Sequence, residues 1–309
     1  MGQVVLKLTK DKIQEMKSHY KNQLAPSIPQ AAVFVAKTPY STITAYQSGK
    51  VLFQGKDPEK EAAQWGLTNT SNTREKITKP VHEFHPPETL FHSSHIGSDE
   101  AGTGDYFGPI TVAAAYVKKE HVALLKELGV KDSKHLTDEV IRKIAKDILH
   151  LDIPYTLLKL NNRKYNQLQA KGWSQGKMKT MLHHHALEKL LEKIQPEHPE
   201  GILIDQFSQP NVYKRHLATE GNKLQENVYF MTKAESYSIA VAAGSILARA
   251  SFVKAMEDIS KELRMDIPKG ASQKVDRAAA AVISKFGKAK LQDVAKVHFA
   301  TTQKADKFL

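Results

Sequence analysis

At 309 residues, 41% of them hydrophobic and 25% charged, the chain has the length for two compact domains and too many apolar positions for a disordered one. It has no cysteine, which excludes disulfides, thiolate metal sites and cysteine nucleophiles, so any metal must sit on oxygen or imidazole. A formal charge of +12 favours polyanionic partners, nucleic acid first, through attraction and counterion release.

The opening Met1-Gly2-Gln3-Val4-Val5-Leu6-Lys7 returns to charge before a secretory hydrophobic stretch develops, and Leu6 stands where myristoylation needs Ser or Thr. Apolar runs such as 239–248 fall short of the about 20 residues that span a bilayer. A cytoplasmic protein without a membrane span is expected. Residues 4–8 read as a strand, and Thr9 is placed to cap a helix through about Tyr20. Pro26 and Pro29 precede three strand-like segments, 31–36, 41–47 and 50–54, with Pro39 and Ser48-Gly49 as turns; a helix over 58–65 closes the unit. The run Val51-Leu52-Phe53-Gln54-Gly55 belongs to this rhythm and reads as native. Residues 67–90 hold Asn, Thr, Ser, Lys and three prolines with no apolar period, which predicts a linker between domains at 1–66 and 91–309.

Beyond it, strands over 91–99 and 109–117 flank a glycine-rich turn, and helices follow at 120–128 and 138–149, the second with Ile141, Ile144, Ala145 and Ile148 on one face. A strand over 153–160, a long helix over about 174–194, strands over 201–205 and 227–232, and a helix over 235–263 complete the pattern. Strands first and alternation later predict a mixed sheet covered by helices, and no solenoid repeat is present.

Three places put acids at the end of an apolar strand: Ser98-Asp99-Glu100, Leu203-Ile204-Asp205, and Lys233-Ala234-Glu235 after Tyr229-Phe230-Met231. A carboxylate is costly to bury alone, so acids ending neighbouring core strands share a cation or a basic residue; each taken singly also fits a helix or turn cap. Four carboxylates without cysteine make an oxygen-rich set suited to magnesium or manganese, and paired ions of this kind promote in-line phosphodiester cleavage. Three glycines within residues 102–108 permit close backbone approach to a phosphate or a 2′-hydroxyl. The turn lacks both the Gly-Lys-Ser/Thr ending of a Walker loop and the dinucleotide fingerprint.

The string Asp99-Glu100-Ala101-Gly102-Thr103-Gly104-Asp105-Tyr106-Phe107-Gly108-Pro109 resembles the DEAG-x-G opening of type 2 ribonucleases H. Lys131-Asp132-Ser133-Lys134 resembles that family's D-S-K segment, 202–205 the strand bearing its third acid, and Lys233-Ala234-Glu235 with 242–249 its K-A-D and A-A-S-I-x-A-K stretches. The resemblance covers about residue 91 to the carboxyl terminus. Thr103 and Glu235 stand where the HII branch carries arginine and aspartate, and both match the HIII branch. Residues 4–65 resemble one half of the TATA-box-binding-protein saddle, most clearly at Tyr46-Gln47-Ser48-Gly49-Lys50-Val51.

The resemblance implies an α/β protein with a ribonuclease H-like mixed sheet flanked by helices, and a smaller α+β TATA-box-binding-protein-like amino-terminal domain. It implies an endonuclease that hydrolyses the RNA strand of RNA/DNA hybrids with two Mg2+ or Mn2+ ions, leaving 5′-phosphate and 3′-hydroxyl ends. Asp99 would then bridge both ions, with Glu100, Asp205 and Glu235 completing the shells. Gly102, Thr103 and Gly104 would contact the sugar edge of the RNA, and Ser133 and Lys134 would hold a phosphate. The amino-terminal sheet would offer Tyr40, Thr44, Tyr46 and Lys50 towards the hybrid. Efficient cutting at a lone ribonucleotide goes with the arginine turn and is not expected. A monomer is expected, and no protein partner is implied.

The chain holds fourteen histidines. In His183-His184-His185, successive helical side chains point about 100° apart, so they read as surface or boundary residues and not as one metal site. His92, His95 and His298 are candidate proton carriers, although their spacing demands no such role. Ser-His-Asp hydrolysis lacks a Gly-x-Ser-x-Gly elbow. Two rivals stand beside the hybrid nuclease: a non-catalytic nucleic-acid-binding protein whose acids are structural, and an HII-like junction ribonuclease.

Overall fold

The structure is a computed structural model that describes residues 2–26, 28, 32–66, 82–131, 133 and 136–309. The chain divides into two compact units, Met1–Pro80 and Val81–Leu309. In the first, β1 (Gly2–Lys7) leads to α1 (Lys10–His19), whose first turn is capped by Thr9 accepting from the Lys12 amide at 3.3 Å. Then come β2 (Ala32–Lys37), β3 (Ser41–Tyr46), β4 (Lys50–Gly55) and α2 (Pro58–Ala63), which starts with Asp57 as cap and Pro58 in its first turn. The strands form an antiparallel sheet in the order β1-β4-β3-β2. Phe34, Ala36, Ile43, Ala45, Val51 and Phe53 point to one face, against Ile13, Met16, Tyr20 and Trp65. Tyr20 closes this core by donating to Glu61 at 2.9 Å and accepting from Trp65 Nε1 at 2.8 Å.

The second unit is a five-stranded mixed sheet, order β7-β6-β5-β8-β9, built from β5 (His95–Ala101), β6 (Ile110–Val117), β7 (Tyr155–Leu160), β8 (Ile202–Asp205) and β9 (Val228–Met231). β5, β6 and β7 pair antiparallel as a meander, while β8 and β9 lie parallel to β5. β6 reads Ile-Thr-Val-Ala-Ala-Ala-Tyr-Val and is buried on both faces, because helices cover each. One face packs on α6 (Gln175–Lys193) and α7 (Pro210–Ala218) through Met181, Leu187, Leu190, Tyr213 and Leu217. The other carries α4 (Asp138–His150) and α8 (Ile239–Leu263), with Ile141, Ile144, Ile148 and Ile246 over Ala113, Ala115 and Val117. α3 (His121–Glu127), α5 (Asn162–Ala170), α9 (Gln273–Phe286), α10 (Leu291–Val294) and α11 (Thr301–Ala305) complete the unit, and a third core of Tyr106, Phe107, Phe252, Leu263 and Val275 joins the last of these to α8.

α8 is long and apolar enough to cross a membrane by length and composition, but 72% of its apolar window is buried, as in a core helix. It sits directly on β5. A Cβ at Gly97 would lie 2.0 Å from the Val241 amide nitrogen, and one at Gly244 would lie 3.2 Å from the Gly97 carbonyl on β5 and 3.1 Å from the Ala113 carbonyl on β6, so side chains at this crossing would force helix and strand apart.

Three boundaries differ from the sequence reading. Residues 82–90 are built into the second unit and not held apart as linker: Phe84 packs against its core and accepts from the Phe230 amide at 2.8 Å, and Leu90 is buried. Residues 67–81, the rest of that span, lie outside the described residues. Phe91 and His92 belong to a 3-10 turn over Glu88–His92, so β5 starts only at His95. Glu235 sits in a separate 3-10 turn, Ala234–Ser236, and α8 begins after Ser238, whose hydroxyl accepts from the Val241 amide at 3.2 Å.

Candidate active site at the carboxylate cluster

Asp99 and Glu100 are consecutive on β5, where alternation sends their side chains to opposite faces of the strand. The parallel register pairs Ser98 with Ile204, which brings Asp205 level with Asp99 at the end of β8. Asp205 in turn accepts from the Ala234 amide at 2.9 Å, tying the end of β8 to the turn that carries Glu235. That turn needs Lys233 in the left-handed region, at φ 60°. Asp99 and Glu235 are both buried, at 7% and 3% exposure. A cleft of about 440 Å³ is lined by Asp99, Glu100, Asp205, the backbone turn 101–105, Ser133, Ser245 and Arg249.

The adjacent acids of β5 have opposite electrostatics. Burial, then the charges of Glu100 and Asp205, push Asp99 well above the usual carboxylate range, against the opposing hydrogen bonds from Ser245 and from the Glu100 amide at 2.7 Å. Burial also acts to raise Glu100, but His183 and Lys179 outweigh it and hold Glu100 below its ordinary value. Lys179 Nζ donates to Glu100 Oε1 at 2.8 Å, and His183 Nε2 meets Oε2 at 3.1 Å. The other ring nitrogen of His183 lies 2.7 Å from Ser98 Oγ, so the imidazole is fixed at both ends. A buried acid crowded by two more, with hydroxyl and amide partners, fits a hard divalent cation with oxygen ligands.

The glycine turn is held from below. Gly102 has φ +85°, and a Cβ there would come within 2.2 Å of the Pro109 carbonyl, so this position requires glycine for the backbone itself. At Gly104 an added Cβ meets nothing within 4 Å. The Thr103 carbonyl accepts from Gln175 Nε2 at 3.0 Å, while its buried Oγ1 has no partner among the described residues. Fully buried Lys296 donates to the carbonyls of Asp105 and Gly108 at 2.7 and 2.6 Å, and burial pushes its ammonium down to about 7, against a weaker pull upward from Asp105.

Ser133 is buried, its hydroxyl 2.8 Å from Ser245 Oγ, which links it through Ser245 to Asp99. Arg249, one turn beyond Ser245 on α8, donates to the carbonyls of Ser133 and Leu136 and pairs with Asp138 at 3.2 Å. Lys134 lies outside the described residues. In the first unit Tyr40 and Lys50 are exposed and Tyr46 half-buried, but Thr44 is only 8% exposed. Thr44 sits mid-sheet between cross-strand neighbours Val35 and Leu52, which crowd it and correct its expected presentation to a groove.

The histidine run is also corrected. His183 is fully buried against Glu100 and His184 is 3% exposed, so only His185 fits a surface reading. Burial lowers His184, opposed by the Glu188 charge. His95 is buried between the Ser93 carbonyl and Ser238 Oγ at 2.9 and 2.7 Å, and burial lowers it. His298 stacks on Tyr165 at 5.6 Å and is lowered by burial and by Lys296. Lys179 was missed by sequence reasoning, His183 was read there as a surface or boundary residue, and Ser245 and Arg249 stood only within the 242–249 stretch, with no role given to either. Their polar groups on otherwise apolar faces of α6 and α8 were the available signal.

A mixed sheet whose central strands converge on a carboxylate cleft defines the second unit as a ribonuclease H-like α/β domain. Residues 96–302 match the family described as Ribonuclease HII, and residues 3–78 match a domain of unknown function, DUF3378. A curated relative named Ribonuclease HIII, from Oceanobacillus iheyensis, is 58% identical over 309 residues, covering 100% of both chains. Another of that name, from Bacillus mycoides, is 52% identical, covering 99% of this chain and 98% of its own. Among solved structures, Bst-RNase HIII in complex with Mn2+ is 42% identical with a TM-score of 0.70, covering 99% of this chain and 98% of that one. The chain belongs to the HIII branch of the type 2 ribonuclease H family and is a ribonuclease H enzyme.

Proposed function

We propose that this chain is an endonuclease that hydrolyses the RNA strand of RNA/DNA hybrids, using two Mg2+ or Mn2+ ions held by Asp99, Glu100, Asp205 and Glu235. The observation that carries the reading is the burial of Asp99 beside two further acids, which raises it well above the carboxylate range until a cation offsets their charge. When bound, the ions supply an activated water and neutralise charge on the leaving oxygen, which yields 5′-phosphate and 3′-hydroxyl ends.

The chain's own groups set the geometry. The Glu100 amide and Ser245 orient Asp99, and Lys179 and His183 fix both oxygens of Glu100 in the ionised form. Asp205 and the Ala234 amide hold the turn of Glu235 in place. Gly104 leaves room for the sugar edge, and the backbone of Thr103 contacts the 2′-hydroxyl there. Gly102 shapes that turn, and Ser133 with Lys134 binds the adjoining phosphate. Residues 82–309 act as the catalytic domain, and 1–66 bind the hybrid through exposed Tyr40 and Lys50. The protein works as a cytoplasmic monomer without a protein partner.

The test is cleavage of four end-labelled substrates, with and without chelator: RNA/DNA hybrid, duplex RNA, duplex DNA, and duplex DNA carrying one ribonucleotide. Metal-dependent cutting of the hybrid alone is expected. A hybrid that survives both ions would leave only a nucleic-acid-binding protein, and equal rates on the single-ribonucleotide duplex would make it a junction enzyme.

A further inference from the structure

α6 carries a second set of donor atoms that the carboxylate cleft does not use. His183 faces Glu100, and a rotation of about 100° per residue turns His184 and His185 to other sides of the helix. Four residues after His184 the helix has advanced about 40° beyond a full turn, which returns Glu188 between the two imidazoles. Glu188 Oε1 lies 3.2 Å from His184 Nε2, and its Oε2 lies 3.2 Å from His185 Nδ1. One ligand atom from each residue falls within 4.8 Å of the others.

Those spacings suit a metal. Zinc binds nitrogen and oxygen at about 2.0–2.1 Å, so the edge of its tetrahedron is about 3.3 Å; each imidazole lies 3.2 Å from its own oxygen of Glu188, and the three ligand atoms within 4.8 Å have only to draw together for one ion. The half-exposed side chains of His185 and Glu188 have the freedom to do so. His184 is almost wholly buried; Glu188 lies 3.2 Å from its Nε2 and Asn222 approaches the ring, but among the described residues neither ring nitrogen completes a hydrogen bond of good geometry. A buried imidazole beside a carboxylate and a second imidazole is thus turned into a shared point without a fitting partner. The expectation that three successive histidines cannot converge holds for the triplet, and Glu188 supplies the convergence for two of them.

We propose that His184, His185 and Glu188 bind one zinc-class ion, Zn2+, Co2+ or Ni2+, at a site separate from the carboxylate cleft. Two imidazoles and one carboxylate select such borderline ions, whereas the all-oxygen cleft suits Mg2+. Three protein ligands leave a fourth position for water. The ion bridges successive turns of the helix that also carries Lys179 and His183 to Glu100.

The experiment uses the full-length protein, saturated with Mg2+ to fill the cleft and titrated with Co2+ alone. A visible d–d band at one Co2+ per chain is expected, displaced by Zn2+. Glu188→Gln and His185→Ala, at half-exposed positions, should weaken Co2+ binding at least about tenfold, while Asp99→Asn retains it. Unchanged melting of both variants and unchanged Mg2+-dependent hybrid cleavage verify that they fold. Absence of the band, equal binding by Glu188→Gln and His185→Ala, or loss of binding in Asp99→Asn would each overturn the site and leave the cluster as an ion pair.

Discussion

Gly104→Ala separates a contact with substrate from a requirement of the fold. The turn holds two glycines that look alike in sequence but differ in structure. At Gly102 an added carbon would strike the Pro109 carbonyl at 2.2 Å, whereas at Gly104 it enters open space, and Gly104 lies outside the left-handed region. The methyl of Gly104→Ala therefore costs the folded protein nothing and restricts the unfolded chain, a gain of about 0.4–1 kcal/mol. For a unit of this size that raises the melting temperature by about 1–4 °C. If the RNA sugar lies against this backbone, the methyl displaces it by about 1.5 Å, one C–C bond. Misplacement on that scale costs about 10²-fold in rate, or about 2.7 kcal/mol of transition-state stabilisation. The assay is kcat/KM on an end-labelled hybrid beside thermal melting of the free enzyme. A variant that melts at or above wild type and cleaves within about threefold of it would refute the placement of RNA against Gly104.

Asp99→Asn should lower kcat by at least about 10³-fold while hybrid affinity, read by filter binding, stays within about threefold, because on the proposed reading it removes a metal ligand and no contact to nucleic acid. In chelator the same variant should melt no lower than wild type, since it relieves a buried acid raised by its neighbours. Lys179→Met and His183→Phe should each weaken Mn2+ binding about tenfold by calorimetry, as Glu100 loses a partner that holds it ionised and oriented. Lys296 gives a pH signature: its folded value of about 7 lies below the ordinary 10.5, so between these the unfolded state binds more protons and stability rises with pH. The neutral amine keeps two N–H groups, matching the two carbonyls that it serves. Wild type should gain roughly 2 kcal/mol over Lys296→Met between pH 7 and pH 9 in urea melts; parallel profiles would contradict this.

The acids were legible because each sits at or just beyond the end of an apolar strand, Asp205 directly after Ile204 and Glu235 four residues after Met231. The parallel pairing that makes Asp99 and Asp205 neighbours was not, since it links residues far apart in the chain. Lys179 and His183 were hidden for a related reason: α6 places them over β5 from 79 and 83 residues away. Composition also misled at 82–90, where prolines and polar residues surround Phe84 and Leu90, the two side chains that dock that stretch on the catalytic core. In the histidine run, periodicity correctly separated the three rings but said nothing of which one a buried acid would meet. Thr44 shows the converse, a polar residue on the expected pleat face that its neighbours Val35 and Leu52 still enclose.

The crossing of α8 over β5 reaches beyond packing. Because Gly97 and Gly244 let helix and strand meet backbone to backbone, there is no layer of side chains between them to absorb a shift. The helix that seats there carries Ser245 to Asp99 and Arg249 to the Ser133 segment, so its position is transmitted rigidly to both sides of the cleft. Tolerances at the cleft are therefore set by two residues that have no side chain and touch no substrate. Anyone re-engineering this nuclease for a wider or narrower substrate would find the mechanical zero of the instrument there, not among the acids.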